Sequence, residues 1–185
     1  MYPNRWHAQK GAGHRVAIVS RLDPIKRVDL LLDALDCEPA ARAIRYDVYG
    51  TGADGPKLQE RARRDHPNVH FHGYVSDVPR RLEDCDLLLH LSSEEPFGLV
   101  LLEAMAAGTP ILAPNAGGVP TIIRHEGTGY LYPAGDARGL GRLLAAWHRD
   151  PPASRFRVVR SARAELVTRF SPTRMAAAYR QALGV

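Results

Sequence analysis

Short apolar runs alternate along this chain with stretches whose apolar residues recur every three or four positions. Val16-Ala-Ile-Val-Ser20 is the first run, bounded by charge, and reads as a buried strand. From Ile25 to Asp36, Val28, Leu31, Leu32 and Leu35 fall at helical spacing, and Pro24 suits the first turn. The alternation then repeats. Strand-like segments lie at 45–49, 69–72, 87–91, 110–113 and 129–132. Helix-like segments lie at 56–64, 77–85, 98–107, 119–124 and 136–148, the last with an apolar face of Leu140, Leu143, Leu144 and Trp147. The tail from Ala153 to Leu183 reads as two helices broken at Ser171-Pro172.

Six strands alternating with helices predict a parallel sheet covered on both faces. With right-handed crossovers this is an α/β, Rossmann-like domain, expected over residues 15–185. Residues 1–14, with Pro3, Gly11 and Gly13, read as an extended lead-in. Ligands of such sheets bind beyond the C-terminal ends of the strands, where the candidate motifs of this chain fall.

Composition narrows the picture. The chain has 185 residues, one domain's worth, and 45% are apolar, enough for a sizeable core. The net charge of +5 comes from 25 basic and 20 acidic residues. The basic residues are scattered among acids rather than clustered, which favours an anionic small ligand over nucleic acid. Cys37 and Cys85 form no C-x-x-C and no metal spacing with histidine, so they read as two reduced, buried thiols of a cytosolic protein. The residues from Met1 to His7 have no apolar stretch like that of a signal peptide, and no run approaches membrane-spanning length.

The segment from Ser92 to Gly108 carries the sharpest chemistry. It begins where a buried strand ends and runs into a helix, with Glu95 just before Pro96. The first-turn amides of Gly98, Leu99 and Val100 would face an anion, and Gly98 has no side chain to block one. Glu103 lies about one turn further in among Leu101, Leu102, Ala104 and Met105, where a buried carboxylate needs a partner such as a ribose hydroxyl pair. A plainer reading makes Glu95 a dipole partner of the first turn and leaves Glu103 in solvent.

Other features are set aside. Gly50-Thr-Gly-Ala-Asp-Gly55 matches the glycine spacing of a dinucleotide fingerprint, but the next strand ends at His72-Gly73 without the acid such a site requires. His70 and His72 read as one face of a partly exposed sheet edge, and His90 as a hydrogen-bonded core residue.

Glu95 and Glu103, separated by seven residues, resemble the E-x7-E motif of retaining GT-B glycosyltransferases of family four, and the residues from Glu95 to Ala113 follow that family's usual wording. Ser20-Arg-Leu-Asp-Pro-Ile-Lys26, Tyr49-Gly-Thr-Gly52, His72-Gly-Tyr-Val75, Gly117-Gly-Val-Pro120 and Gly127-Thr-Gly-Tyr-Leu131 resemble its other signatures, in the same order, over about residues 15–150. The resemblance implies the C-terminal, donor-binding half of a GT-B fold. Its donor would be a nucleoside-diphosphate sugar, bound with no obligatory metal and no further cofactor, and a hexosyl group would pass to a glycan, lipid or small molecule.

By the same resemblance, Arg21 and Lys26 clamp the diphosphate and Glu103 accepts hydrogen bonds from the ribose. Glu95 lies near the donor sugar, where positioning or electrostatic support is its expected role. The amides of Gly98, Leu99 and Val100 hold the sugar or diphosphate, and the backbone around Tyr74 and Val75 meets the base. An N-terminal acceptor-binding domain completes such an enzyme. Tyr2-Pro-Asn4 resembles the linker into the C-terminal half, and Ser171–Leu183 the helix that crosses back. Membrane contact would come through the other half. A chain of this kind is expected to transfer little alone, and the alternative is a non-catalytic nucleotide-sugar-binding module or a split-enzyme subunit. Ser20 and Arg27 depart from the family, which usually carries glycine at both positions.

Overall fold

The computed structural model describes residues 14–149 and 152–183, so the expected lead-in at 1–13 lies outside the described residues. Six parallel strands form one sheet in the order β3-β2-β1-β4-β5-β6. They are β1 (Arg15–Val19), β2 (Arg45–Tyr49), β3 (Val69–Phe71), β4 (Leu87–Leu89), β5 (Ile111–Pro114) and β6 (Tyr130–Tyr132). The helices are α1 (Asp29–Cys37), α2 (Gly55–Asp65), α3 (Val78–Glu83), α4 (Leu99–Ala107), α5 (Val119–Ile122), α6 (Ala137–Arg149), α7 (Pro152–Arg169) and α8 (Pro172–Leu183). The Rossmann-like expectation holds. No described helix is long and apolar enough to cross a membrane.

Alternation along each strand sends side chains to two separate cores. Val16, Ile18, Leu87 and Leu89 pack with Leu31 and Leu35 of α1 and with Leu140 and Leu144 of α6. Ala17, Leu88, Ile111 and Ala113 pack with Leu101 and Met105 of α4, Ile122 of α5 and Ala162 of α7. Burial on both faces explains why these strands are continuously apolar. Each fully buried leucine contributes about 1.5–3 kcal/mol by its removal from water.

The first helix differs from its expected bounds. Pro24–Lys26 make a single 3-10 turn, and Arg27 then adopts a left-handed conformation (φ 52°, ψ 37°) before α1 begins at Asp29. Glycine takes that conformation freely, whereas another residue pays about 1–2 kcal/mol. The departure from glycine at this position therefore changes the residue and keeps the turn. The break leaves Lys26 on the loop beyond β1 instead of inside a helix.

The two thiols also differ from each other. Cys85 is buried, and burial pushes its thiol up to about 12. Cys37, the last residue of α1, is exposed, which corrects the expectation that both are buried.

β3 is an edge strand, and His72, just beyond it, stays partly exposed, as the two histidines suggested. Its ring stacks on Tyr49 at 4.9 Å and lies 2.7 Å from the fully buried Asp47 of β2. Asp47 also accepts from Arg15 at 3.0 Å and from Arg45 at 2.9 Å. Burial raises its pKa, but the bonds from Arg45, His72 and Arg15 outweigh that and hold it at about 2, against an ordinary 3.8. The stability this provides, about 2 kcal/mol, is fully present above the unfolded pKa and lost as pH falls toward the folded one. Urea unfolding of the wild type should therefore weaken between pH 4 and pH 2. Asp47→Asn, already destabilised at neutral pH, should flatten over that window, and an equal slope in both proteins would contradict the assignment.

Candidate donor site at the switch point

β1 and β4 are neighbours, yet the chain leaves β1 toward β2 and leaves β4 toward β5. The two following loops diverge, and the crevice between them is where open parallel sheets bind ligands. Residues 20–27 form one wall and residues 90–98 the other.

The first wall is braced against the loop after β2. Ser20 N donates to Tyr49 O, Leu22 N to Thr51 O and Asp54 N to Leu22 O. A Cβ on Gly50, whose φ is +134°, would fall 1.8 Å from the Ser20 carbonyl oxygen, and one on Gly52 would fall 2.5 Å from the Leu22 backbone. These glycines are needed for backbone contact between two loops, which accounts for the glycine-rich spacing without a dinucleotide. Arg21 is exposed beyond this brace, with its guanidinium 3.2 Å from Asp23.

Two side-chain contacts tie the walls together. Lys26 Nζ donates to Glu95 Oε2 at 2.7 Å, with side chains only 18% and 15% exposed. Ser92 Oγ donates to the Ile25 carbonyl at 3.3 Å. Burial raises the pKa of Glu95, but Lys26, the His90 ring and the Gly98 amide outweigh this and lower it overall. The backbone of Glu95 is gripped as well: Gly118 N donates to its carbonyl at 2.7 Å. A Cβ on Gly118 would lie 2.2 Å from the Pro96 carbonyl oxygen, so the loop after β5 reaches Glu95 only through glycine.

Gly98 adopts φ 79° and ψ 65° and turns the chain into α4, whose N-terminus opens into the crevice. The amide of Gly98 already bonds the Glu95 carboxylate, those of Leu99 and Val100 have no acceptors within their own helix, and the helix dipole adds to their attraction for an anion. Glu103 does not behave as its apolar neighbours suggested. Leu101, Ala104 and Met105 are buried, whereas Glu103 and Leu99, one turn apart, lie on the exposed flank of α4. Glu103 is therefore not a buried carboxylate in need of a partner but one that faces outward on the helix. Tyr74 is exposed and Val75 half-buried at the end of β3, two strands from β1. The Gly50 amide, donating to the Gly73 carbonyl at 2.7 Å, joins that loop to the first wall.

The sequence did not single out His90 for this site. It is 4% exposed, and its Nε2 lies 3.8 Å from Glu95 Oε2 without a hydrogen-bond partner. The expected hydrogen bond at this core histidine is therefore missing at Nε2. Burial pushes its pKa down to about 4, with Lys26 adding to that and Glu95 opposing it. A histidine inside the apolar run before the Glu95 segment was the available signal. Among the described residues no group of three or more His, Cys, Asp or Glu side chains is placed to hold a metal ion.

The arrangement can attract an anion between Arg21, Lys26 and the start of α4, close to a carboxylate already held in place. Known proteins resemble this chain in sequence and in fold. Residues 5–165 match the family described as glycosyl transferases group 1. N-acetyl-alpha-D-glucosaminyl L-malate synthase of Bacillus anthracis is 37% identical over 124 residues, covering 66% of this chain and 32% of that protein. A GDP-mannose-dependent alpha-mannosyltransferase of Mycobacterium tuberculosis is 34% identical over 123 residues, covering 65% and 30%. The crystal structure of Anabaena HepE with UDP and glucose superposes with a TM-score of 0.82 at 28% identity, over 93% of this chain and 48% of that one. The chain thus spans about a third of the length of these curated relatives and about half of the solved one. On the match over residues 5–165, this chain belongs to the glycosyl transferases group 1 family.

Proposed function

We propose that this chain is the donor-binding half of a retaining GT-B glycosyltransferase, holding a nucleoside-diphosphate sugar in the crevice between β1 and β4. The observation that carries the proposal is the Lys26–Glu95 pair, which spans the switch point beside the N-terminus of α4. A diphosphate arriving there meets the Arg21 guanidinium, the Lys26 ammonium and the amides of Gly98, Leu99 and Val100. These donors stabilise the charge that grows on the nucleotide as the glycosyl bond breaks. Glu95 positions the sugar, the outward-facing Glu103 accepts from the ribose, and the backbone at Tyr74 and Val75 meets the base. The Anabaena structure with UDP and glucose supports a sugar-nucleotide ligand.

On this reading the acceptor binds a second domain across the cleft. α8 is the helix that reaches back to it, and residues 15–185 are one nucleotide-sugar-binding unit. Turnover by these 185 residues alone is then low, and robust transfer would refute that part. Isothermal calorimetry with UDP, GDP and ADP tests the core of the proposal. One diphosphate should bind in the millimolar range or tighter. Glu103→Ala should weaken it about tenfold, the loss of about 1.4 kcal/mol. Absence of binding by all three at millimolar concentration would sink the donor site.

A further inference from the structure

Lys26 has two demands on one ammonium. It already bonds Glu95, and on the reading above it also meets the donor diphosphate. Glu95 is mostly buried, so moving its cation toward a phosphate leaves a carboxylate in a poorly solvated place, which is costly. The structure holds a second group for that moment. His90 Nε2 lies 3.8 Å from the same Oε2 that Lys26 bonds and has no hydrogen-bond partner. Its backbone is held just past the end of β4: its amide donates to the Leu112 carbonyl, and its carbonyl accepts from the Tyr132 hydroxyl.

We propose that His90 is a positioning residue that takes over Glu95 from Lys26 when a donor diphosphate binds, taking up one proton from solvent at Nε2 as it does so. The inference rests on the donor-site reading. Its charge balance is simple. Before binding, the cation on Lys26 and the anion on Glu95 cancel beside a neutral His90. After binding, Lys26 balances a phosphate oxygen and protonated His90 balances Glu95. The charged groups acting on the ring are Glu95, which favours the proton, and Lys26, which opposes it. Arg27 lies further off, acting on the Tyr132 hydroxyl that bonds the His90 carbonyl. Moving Lys26 toward the ligand removes the opposing charge and leaves Glu95, joined by the incoming phosphate's negative charge, to work against burial, the largest cause of the depressed pKa. Glu95 is thereby held in one place with or without donor.

The test is calorimetry of the 185-residue chain with UDP-glucose, GDP-mannose and ADP-glucose near pH 6, in two buffers of different ionisation enthalpy. Nucleotide sugars serve better than free diphosphates, whose terminal phosphate itself titrates at about 6. The dependence on buffer should report about half a proton or more taken up per ligand bound. In His90→Gln, which keeps an amide nitrogen and has nothing to titrate, uptake should fall to near zero. Binding by the wild type without proton uptake would overturn the inference and leave the donor site standing; no binding by any of the three would overturn both. A ligand-free measurement separates them further. In Lys26→Met, NMR titration of the His90 ring should show its pKa well above the wild-type value, and an unmoved pKa refutes the coupling whether or not a nucleotide binds.

Discussion

Gly50→Ala should cost about 3–5 kcal/mol of stability, a large share of the 5–15 kcal/mol typical of a domain, read as a fall in the urea midpoint at constant slope. Two effects act together. The backbone at φ +134° is one that residues with a side chain rarely adopt, and the new Cβ would lie 1.8 Å from the Ser20 carbonyl oxygen. That oxygen cannot retreat cheaply, because Ser20 N bonds Tyr49 O and Leu22 N bonds Thr51 O on either side. Gly135→Ala separates the two effects. Gly135 has φ +78° and open space where a Cβ would stand, so it carries the conformational cost alone, about 1 kcal/mol. Equal losses in the two variants would show that the contact with Ser20 is not what Gly50 provides. The same contact braces the loop bearing Arg21 and Lys26, so Gly50→Ala should also weaken diphosphate binding at temperatures where the protein remains folded.

Why Gly50 matters could not be read from its own neighbours in sequence, and the same holds for most of the site. Apolar runs such as Val16–Val19 and Leu87–Leu89 were legible as strands because a buried parallel strand must be apolar on both faces. The start of α4 was legible because Pro96 and Gly98 punctuate the chain there. Sheet order was not written in any one run. Lys26 and Glu95 are 69 residues apart and meet only because β1 lies next to β4. Glu103 was misplaced for a related reason. Every residue of Leu99–Ala107 except Glu103 is apolar, so no periodicity marks which flank of the helix is covered. Arg27 concealed its left-handed turn because the residue that usually signals one, glycine, is absent there. His90 looked like any core histidine until the structure set its Nε2 beside Glu95.

Lys26→Met should weaken diphosphate or nucleotide-sugar binding about 30- to 100-fold, the equivalent of losing one charge-assisted hydrogen bond worth about 2–3 kcal/mol. It should also lower stability by about 1–3 kcal/mol, since Glu95 stays mostly buried without its 2.7 Å partner. The two losses have different origins, and Lys26→Met/Glu95→Gln divides them. Removing the orphaned charge restores most of the stability, while nothing in the double variant replaces the ammonium, so binding stays weak. A double variant as unstable as Lys26→Met would mean that the pair acts through packing rather than charge. The pH dependence carries a further sign. In the wild type the His90 pKa is depressed to about 4, so its contribution is present above the unfolded value of 6.5 and fades as pH falls toward 4. In Lys26→Met one cause of that depression is gone while Glu95 still opposes the effect of burial, so the depression is smaller and less stability is lost as pH falls. The deficit of Lys26→Met relative to wild type should therefore be smaller at pH 6 than at pH 8, and introducing His90→Gln into both proteins should abolish that difference.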